Sequence, residues 1–408
     1  MSTRTSFLDI REGAISLGPV QMEPFRPDSV NLFPKMPSRI SENSWELWEF
    51  EAFGDRGAPA ILVSLYRDAR GVDQGGFHAE VHAVWPDARK WGKTLYFQQS
   101  TITAEADASG RDEGTVTGTW VSADASGLDE SEKSITFTID PDLSSTKFRF
   151  NVPGEVVGEM ELRSTAGSTG AARKEANLPA TEDAAQLCPS VYYTFPMGRL
   201  TATANILFTC VEGDGDRKLS IGLDEDSDSH GSMVRGWSTL AWPRFMNDAY
   251  YTVGHVGPYK LQLLRTLGSA AVSHFPYAVA RLHREDQLVC AAHHAIGDGS
   301  EQMAKGQDVV RVDKIFDTPG SAQPSGISSN FRDTNVGYII EFASPRQQQR
   351  WRFETRHRLP WWSEPTSEPG PDGCGKSGWV ETFFGGLVDE GEAFEGAGIG
   401  GQLQIPVP

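Results

Sequence analysis

Three stretches of the chain carry residue types at spacings that perform chemistry in other proteins. Residues 293–299, HHAIGDG, match His-His-x-x-x-Asp-Gly, in which the second histidine, here His294, is the general base of an acyl transfer. Residues 370–377, GPDGCGKS, match Gly-x-x-x-x-Gly-Lys-Ser, a loop whose backbone N–H groups cradle phosphates. In FHAEVHAV, His78, Glu80 and His82 alternate, so on a strand all three project from one face and offer a donor set for Zn(II) or Fe(II). The first two patterns demand different folds, so at least one is coincidental.

Context weighs against each. A phosphate loop needs a strand before it and a long helix after it. Here prolines at 365, 369 and 371 argue against a central strand upstream, and Gly378, Gly385 and Gly386 leave no helix downstream. By this reading Lys376 sits in a solvated Pro/Gly-rich loop. After the Asp-Gly of HHAIGDG comes SEQMAKGQ, which lacks the amphipathic helix that acyl transfer folds place there, so a hairpin turn with two solvent-side histidines is expected. No fourth ligand accompanies His78, Glu80 and His82, and any wet strand face alternates in the same way. No metal is expected.

A less conspicuous stretch is more unusual. In SWELWEFEAF (44–53) the odd positions are Trp45, Leu47, Glu49, Glu51 and Phe53, and the even ones include Glu46, Trp48 and Phe50. Both faces are apolar and both carry acid. A strand with bulk on both sides lies between packed layers, so at least one of these glutamates is expected in a desolvated setting, needing a donor partner or a raised pKa. Aromatic residues also crowd into RGWSTLAWPRFMNDAYY (235–251) and LPWWSEP (359–365), a density that suggests lining for an apolar ligand.

These residues must be held by strands. Short stretches of period-two patterning, such as APAILVSLYRDA, KTLYFQQSTI, TVTGTWVS and KSITFTID, alternate with turn chemistry such as ARGVDQGG and DASGRDEG, the spacing of an antiparallel sandwich or barrel. The polar stretch 164–186 reads as a long surface loop, and the acidic run DEDSDSHGS (224–232) as the seam between two parts. One segment, PYKLQLLRTLGS (258–269), reads as a short helix ended by Gly268. A chain of 408 residues accommodates two cores, and the expectation is an all-β protein with domains at 1–228 and 229–408. The net charge of −18 repels phosphate backbones and anionic lipid, which argues against nucleic acid and membrane partners. Neither a transmembrane span nor the apolar core of a secretory signal is evident, and Cys188, Cys210, Cys290 and Cys374 form no framework, so free thiols in the cytoplasm are expected.

Taken in order, SWELWEF, SLYRDARG, GGFHAEV, CPSVYYTFPMG, VRGWS, WPRFMNDAYY, GPYKLQLLRTLGS, FRDTNVGY, WSEPTSEPGPDGCGKSGW and GGQLQIPVP resemble the fungal decalin-forming Diels–Alderases of polyketide–nonribosomal-peptide pathways. The similarity runs from about residue 29 to the end. It implies an N-terminal β-sandwich and a C-terminal lipocalin-like β-barrel with a pocket between them, no cofactor, and a stereoselective intramolecular [4+2] cyclisation of a linear polyenoyl tetramic acid to a trans- or cis-decalin. The synthase that makes that chain is the implied upstream partner. The family's pocket glutamate falls on Glu49, its pocket tyrosines on Tyr66, Tyr193 and Tyr251, its tryptophans on Trp242 and Trp362, and its carbonyl-binding lysine on Lys376. His82 stands where relatives have Asn, a change expected to act on head-group recognition, stereochemistry or pH response. Two other classes fit a greasy cavity: a non-catalytic lipocalin-like carrier, and a cofactor-free isoprenoid hydratase in which an acid such as Glu49 protonates an alkene.

Overall fold

Alternation does most of the work in the first half of the chain. In Lys133–Ile139 every second side chain, Ile135, Phe137 and Ile139, is buried, and the same rhythm runs through Ser145–Val152 and Leu200–Val211. Such strands can cover only one face of a core, so they form a sheet that closes over another layer. A computed structural model describes residues 3–106, 113–122, 133–165, 171–176, 178–223, 228–272, 274–285, 287–293, 305–316, 335–368 and 373–406. Two large antiparallel sheets dominate it.

The first sheet runs from Thr3–Asp9 at one edge to Lys90–Phe97 at the other and includes Trp45–Gly54, Ala60–Asp68 and Phe77–Val84 as neighbours. It curls so that its halves face each other as a sandwich. Trp48 meets Trp120 at 5.6 Å between ring centroids, and Phe50 meets Phe148 at 4.4 Å. The second sheet is a nearly closed barrel of nine strands, in the order Gln287–Ala292, Pro276–Arg284, Tyr259–Gly268, Met246–Val256, Phe394–Gln404, Gly375–Leu387, Gln349–Pro365, Gly337–Ser344 and Val309–Ile315. Asp308 staples the gap between its end strands, accepting from the Ala291 amide at 3.0 Å and from the Ser344 hydroxyl at 2.7 Å.

The all-β architecture agrees with the sequence reading, and several local expectations do not. Residues 258–269 form the strand Tyr259–Gly268, not a helix. That strand is buried on both sides, with Leu261 and Leu263 in the barrel core and Leu264 in the cluster against the first sheet, so its apolar pattern is continuous and imitates a helical face. The single strand expected at 93–102 is two, Lys90–Phe97 and Gln99–Ala106. The loop expected at 164–186 contains the short helices Ala171–Ala176 and Glu182–Ala185. Pro360 and Pro365 lie within the strand Gln349–Pro365, whose register shifts between His357 and Leu359 and between Pro360 and Trp362 absorb them. Lys376 is therefore on the strand Gly375–Leu387 and not in a loop. His294 and the rest of HHAIGDG after His293, residues 370–372 of GPDGCGKS, and residues 224–227 of the acidic run lie outside the described residues.

The strand Ser229–Ser238, which begins within that acidic run, still pairs in the first sheet, and the chain enters the barrel at Met246 after the short helix Trp242–Phe245. All four cysteines are free. Among the described residues no helix is long and apolar enough to cross a membrane.

Beneath Trp45–Gly54, Glu46 and Arg235 are fully buried and joined at 2.7 Å, with Arg235 lying 4.0 Å from the Trp48 ring centre. Glu46 also accepts from the Lys35 amide at 2.6 Å. Removing the carboxylate takes the paired charge from a buried guanidinium that also donates to the Asn31, Leu47 and Gly236 carbonyls. Glu46→Ala is expected to lower the unfolding free energy by about 3–5 kcal/mol, measured by urea denaturation, and a loss below about 1 kcal/mol contradicts this account.

Candidate active site

The odd-numbered face of Trp45–Gly54 points away from the sandwich core, and register carries it across two neighbours. Leu47 pairs with Tyr66, Glu49 with Ser64, and Glu51 with Leu62. Ser64 in turn pairs with Glu80, and Leu62 with His82. The result is a floor of side-chain rows about 4.8 Å apart from strand to strand. Tyr193 extends the Leu47 row through Gly236.

The outer face of the barrel forms the ceiling. One row across it reads Tyr251, Gly401, Gly378, Trp362, and the next reads Ala249, Leu403, Lys376, Glu364. The two glycines leave a trough for the Trp362 indole. A β-carbon at Gly378 would lie 2.2 Å from that ring, and one at Gly401 2.9 Å from it. Gly378, which helped exclude a phosphate loop in the sequence, is there to admit an aromatic ring.

Floor and ceiling border a cavity with about 830 Å³ free of protein atoms, the open solvent at its mouth included. Glu49, Tyr66, Tyr193, Trp242, Tyr251, Trp362 and Lys376 all line it. His82 does not; it lines an adjoining surface depression with Trp361 and Trp362, its ring 5.6 Å from that of Trp362. Sequence reasoning missed Glu51 and Ser64 and considered Glu80 only as a metal ligand. Glu51 was legible in principle, since it shares the face of Glu49 two residues on. Ser64 and the new role of Glu80 depend on strand register, which no local pattern in the sequence specifies.

Apolar clusters flank the polar middle. On one side Trp242 stacks on Trp45 at 4.4 Å, beside Leu47, Leu264 and Leu403. On the other lie Trp361, Val380 and Ile399, and Tyr251 touches both clusters. The indole N–H groups of Trp242, Trp361 and Trp362 are buried without a hydrogen-bond acceptor among the described residues.

The charged groups divide between two corners. Lys376 Nζ lies 3.3 Å from Glu80 and 3.1 Å from Glu364. Its field, with those of Arg70 and the two histidines, outweighs desolvation and holds the Glu80 carboxyl below the usual range. Lys376 is thus oriented by Glu80 and Glu364 and not by Glu49. Glu49 instead accepts from the Ser64 hydroxyl at 2.6 Å; burial, reinforced by the Glu80 charge, pushes its pKa up to about 7. The Glu51 carboxyl is raised further by burial and by Glu49, and it accepts from the Tyr251 hydroxyl across the two sheets. Burial likewise raises the Tyr66, Tyr193 and Tyr251 phenols, which remain neutral donors at any working pH.

His78 is 3.2 Å from Asp68 and stacks on Tyr66 at 4.4 Å, while Glu80 is committed to Lys376. Among the described residues no group of three His, Cys, Asp or Glu side chains is placed to hold a metal ion.

Burial lowers the His82 pKa to about 4 from the ordinary 6.5. Between those values the unfolded chain binds the extra proton, so His82 erodes stability as pH falls. The stability of His82→Asn relative to the parent is expected to grow from pH 6.5 down to about 4 and to be level above it. Urea midpoints across that range check this, and a constant difference refutes it.

Comparison with known proteins agrees with this geometry. A family profile described as Diels-Alderase-like matches residues 7–406. The chain is 54% identical over 416 residues to Diels-Alderase gNR600 of Fungal sp. (strain NRRL 50135), covering 100% of this chain and 99% of that protein. It is 50% identical to Diels-Alderase phm7 of Pyrenochaetopsis sp, with 100% and 99% covered. The crystal structure of CghA superimposes with a TM-score of 0.86 at 29% identity over 99% of each chain, and CghA has also been solved with Sch210972, at a TM-score of 0.85. A full-length match of this kind, on a cavity built between two β units, makes the chain a member of the Diels–Alderase-like family.

Proposed function

We propose that this Diels–Alderase folds a linear polyenoyl tetramic acid in the cavity between its two sheets and closes it to a decalin by an intramolecular [4+2] cycloaddition. The observation that carries the reading is Lys376: a cation held by Glu80 and Glu364 at one corner of a largely apolar cavity, in a chain whose family performs Diels–Alder chemistry. The free linear chain would come from an upstream polyketide synthase–nonribosomal peptide synthetase in the cytoplasm.

Cycloaddition needs no covalent intermediate. The protein must bring diene and dienophile together on one face, which removes rotational freedom before the barrier is climbed. Trp242, stacked on Trp45, and Trp362, lying in its glycine trough, are walls that cannot yield freely. A preference of about 2.7 kcal/mol for one folding mode gives about a hundredfold selectivity. Lys376 hydrogen-bonds the carbonyl conjugated to the dienophile and withdraws density from it. That bond strengthens as charge moves in the transition state, which is the condition for acceleration beyond binding. Glu49 accepts from, or donates to, the polar head group.

The decisive experiment incubates the purified protein with a synthetic polyenoyl tetramic acid and compares stereoisomer ratios with the spontaneous reaction. A ratio unchanged by the protein favours a carrier, and solvent deuterium in the product favours hydratase-like protonation. Lys376→Ala is expected to retain the fold and slow cyclisation by about 10- to 100-fold, the worth of one charged hydrogen bond. Trp242→Ala is expected mainly to erode the diastereomer ratio. Unchanged rate and ratio in both variants remove these residues from the mechanism.

A further inference from the structure

Glu51 is a buried acid that the proposed mechanism does not use. It is 1% exposed and lines the cavity. One oxygen, Oε2, accepts from the Tyr251 hydroxyl; the other, Oε1, has no partner in full hydrogen-bond geometry among the described residues, with the Ser232 hydroxyl near enough to favour its charged form. The groups around it are Glu49 on its own strand, Ser232 on the neighbouring strand, Tyr193 on the strand beyond, and Tyr251 and Lys260 from the barrel. Lys260 donates to the Gly231 carbonyl. Burial, and after it the Glu49 charge, raise the carboxyl well above the usual range and so favour its neutral form, against the opposing pull of Tyr251, Lys260 and Ser232. A neutral carboxyl carries one O–H, which Oε1 can donate while Oε2 accepts from Tyr251.

The floor grid locates this donor. Glu51 and Glu80 stand two strands and two residues apart, about 12 Å between α-carbons from standard strand geometry. Lys376, beside Glu80, and Glu51 therefore face the cavity from different corners.

We propose that Glu51 donates a hydrogen bond to a ring carbonyl oxygen of the bound head group, at the corner of the cavity opposite to Lys376, and so is a second substrate-contacting donor and a specificity determinant. This assignment rests on the tetramic-acid reading of the substrate and adds its anchoring geometry. A head group gripped by Lys376 at the acyl carbonyl and by Glu51 at the ring carbonyl cannot rotate about the bond that joins it to the polyene. That fixes which face of the dienophile meets the diene.

Two synthetic probes test it: a 3-polyenoyl tetramic acid, and its analogue with the lactam carbonyl replaced by methylene. Their dissociation constants are read from quenching of tryptophan fluorescence. The parent is expected to prefer the first by about tenfold or more, Glu51→Gln to keep most of that preference through its amide N–H, and Glu51→Leu to lose it. The parent's preference should weaken at alkaline pH as the carboxyl ionises, while that of Glu51→Gln should not.

Equal affinity of the parent for the two probes, absence of binding included, overturns the assignment, as does a preference that survives in Glu51→Leu. If that variant does not fold, the pH dependence decides: a preference in Glu51→Gln that weakens with pH as the parent's does also overturns it. Discrimination between the probes without any change in isomer ratio supports Glu51 and removes the cyclase reading, so the two failures are distinct.

Discussion

Three carboxylates on one strand, taken out of water between packed layers, set the terms for the rest of the molecule. An ionised carboxylate left alone in such a place costs several kcal/mol, so each must be paired, hydrogen-bonded or protonated. Trp45–Gly54 uses all three solutions within six residues. Glu46, on the sandwich side, is paired with the buried Arg235. Glu49, on the other face, takes a hydroxyl from the next strand, and Glu51 takes one from the opposite sheet. Because the Glu51–Tyr251 bond joins residues of the two sheets, the site exists only when sandwich and barrel are docked.

Docking also decides the character of the cavity. Its walls belong to two apolar clusters contributed by both sheets, and its polar groups are gathered into a cationic corner and a corner of phenols and acids whose ionisation burial opposes. In such a dry space a hydrogen bond to a developing charge is stronger than it would be in water, since the effective dielectric is low. A unimolecular cyclisation asks little else of a protein. It needs a shape that permits one fold of a flexible chain, and a few donors already facing the atoms where charge will accumulate.

The residues that catch the eye in the sequence have structural uses. The Gly-Lys-Ser-Gly stretch delivers Lys376 to the cavity, bonds Ser377 to Ser363 at 3.2 Å, and clears space at Gly378 for two tryptophans. The His-Glu-His alternation marks a strand face, as its period suggests, but the three side chains turn to different neighbours: Asp68, Lys376 and Trp362. The Leu-rich segment at 258–269 looks helical because a strand buried on both sides has no polar face with which to declare a period of two.

By itself the sequence determined the all-β class, most of the strands, and the desolvated glutamate strand, because alternation, turn residues and apolar bulk on both faces are local properties of the chain. The resemblance of ordered blocks identified the family and seven side chains that the cavity brings together. Only the tertiary structure decided that Glu80 holds Lys376, that Glu51 meets Tyr251, and that His82 stands just outside the cavity wall. Those outcomes depend on strand register and on how two sheets are docked. A slip of one residue would turn every side chain to the opposite face, and no short window of sequence records which register wins.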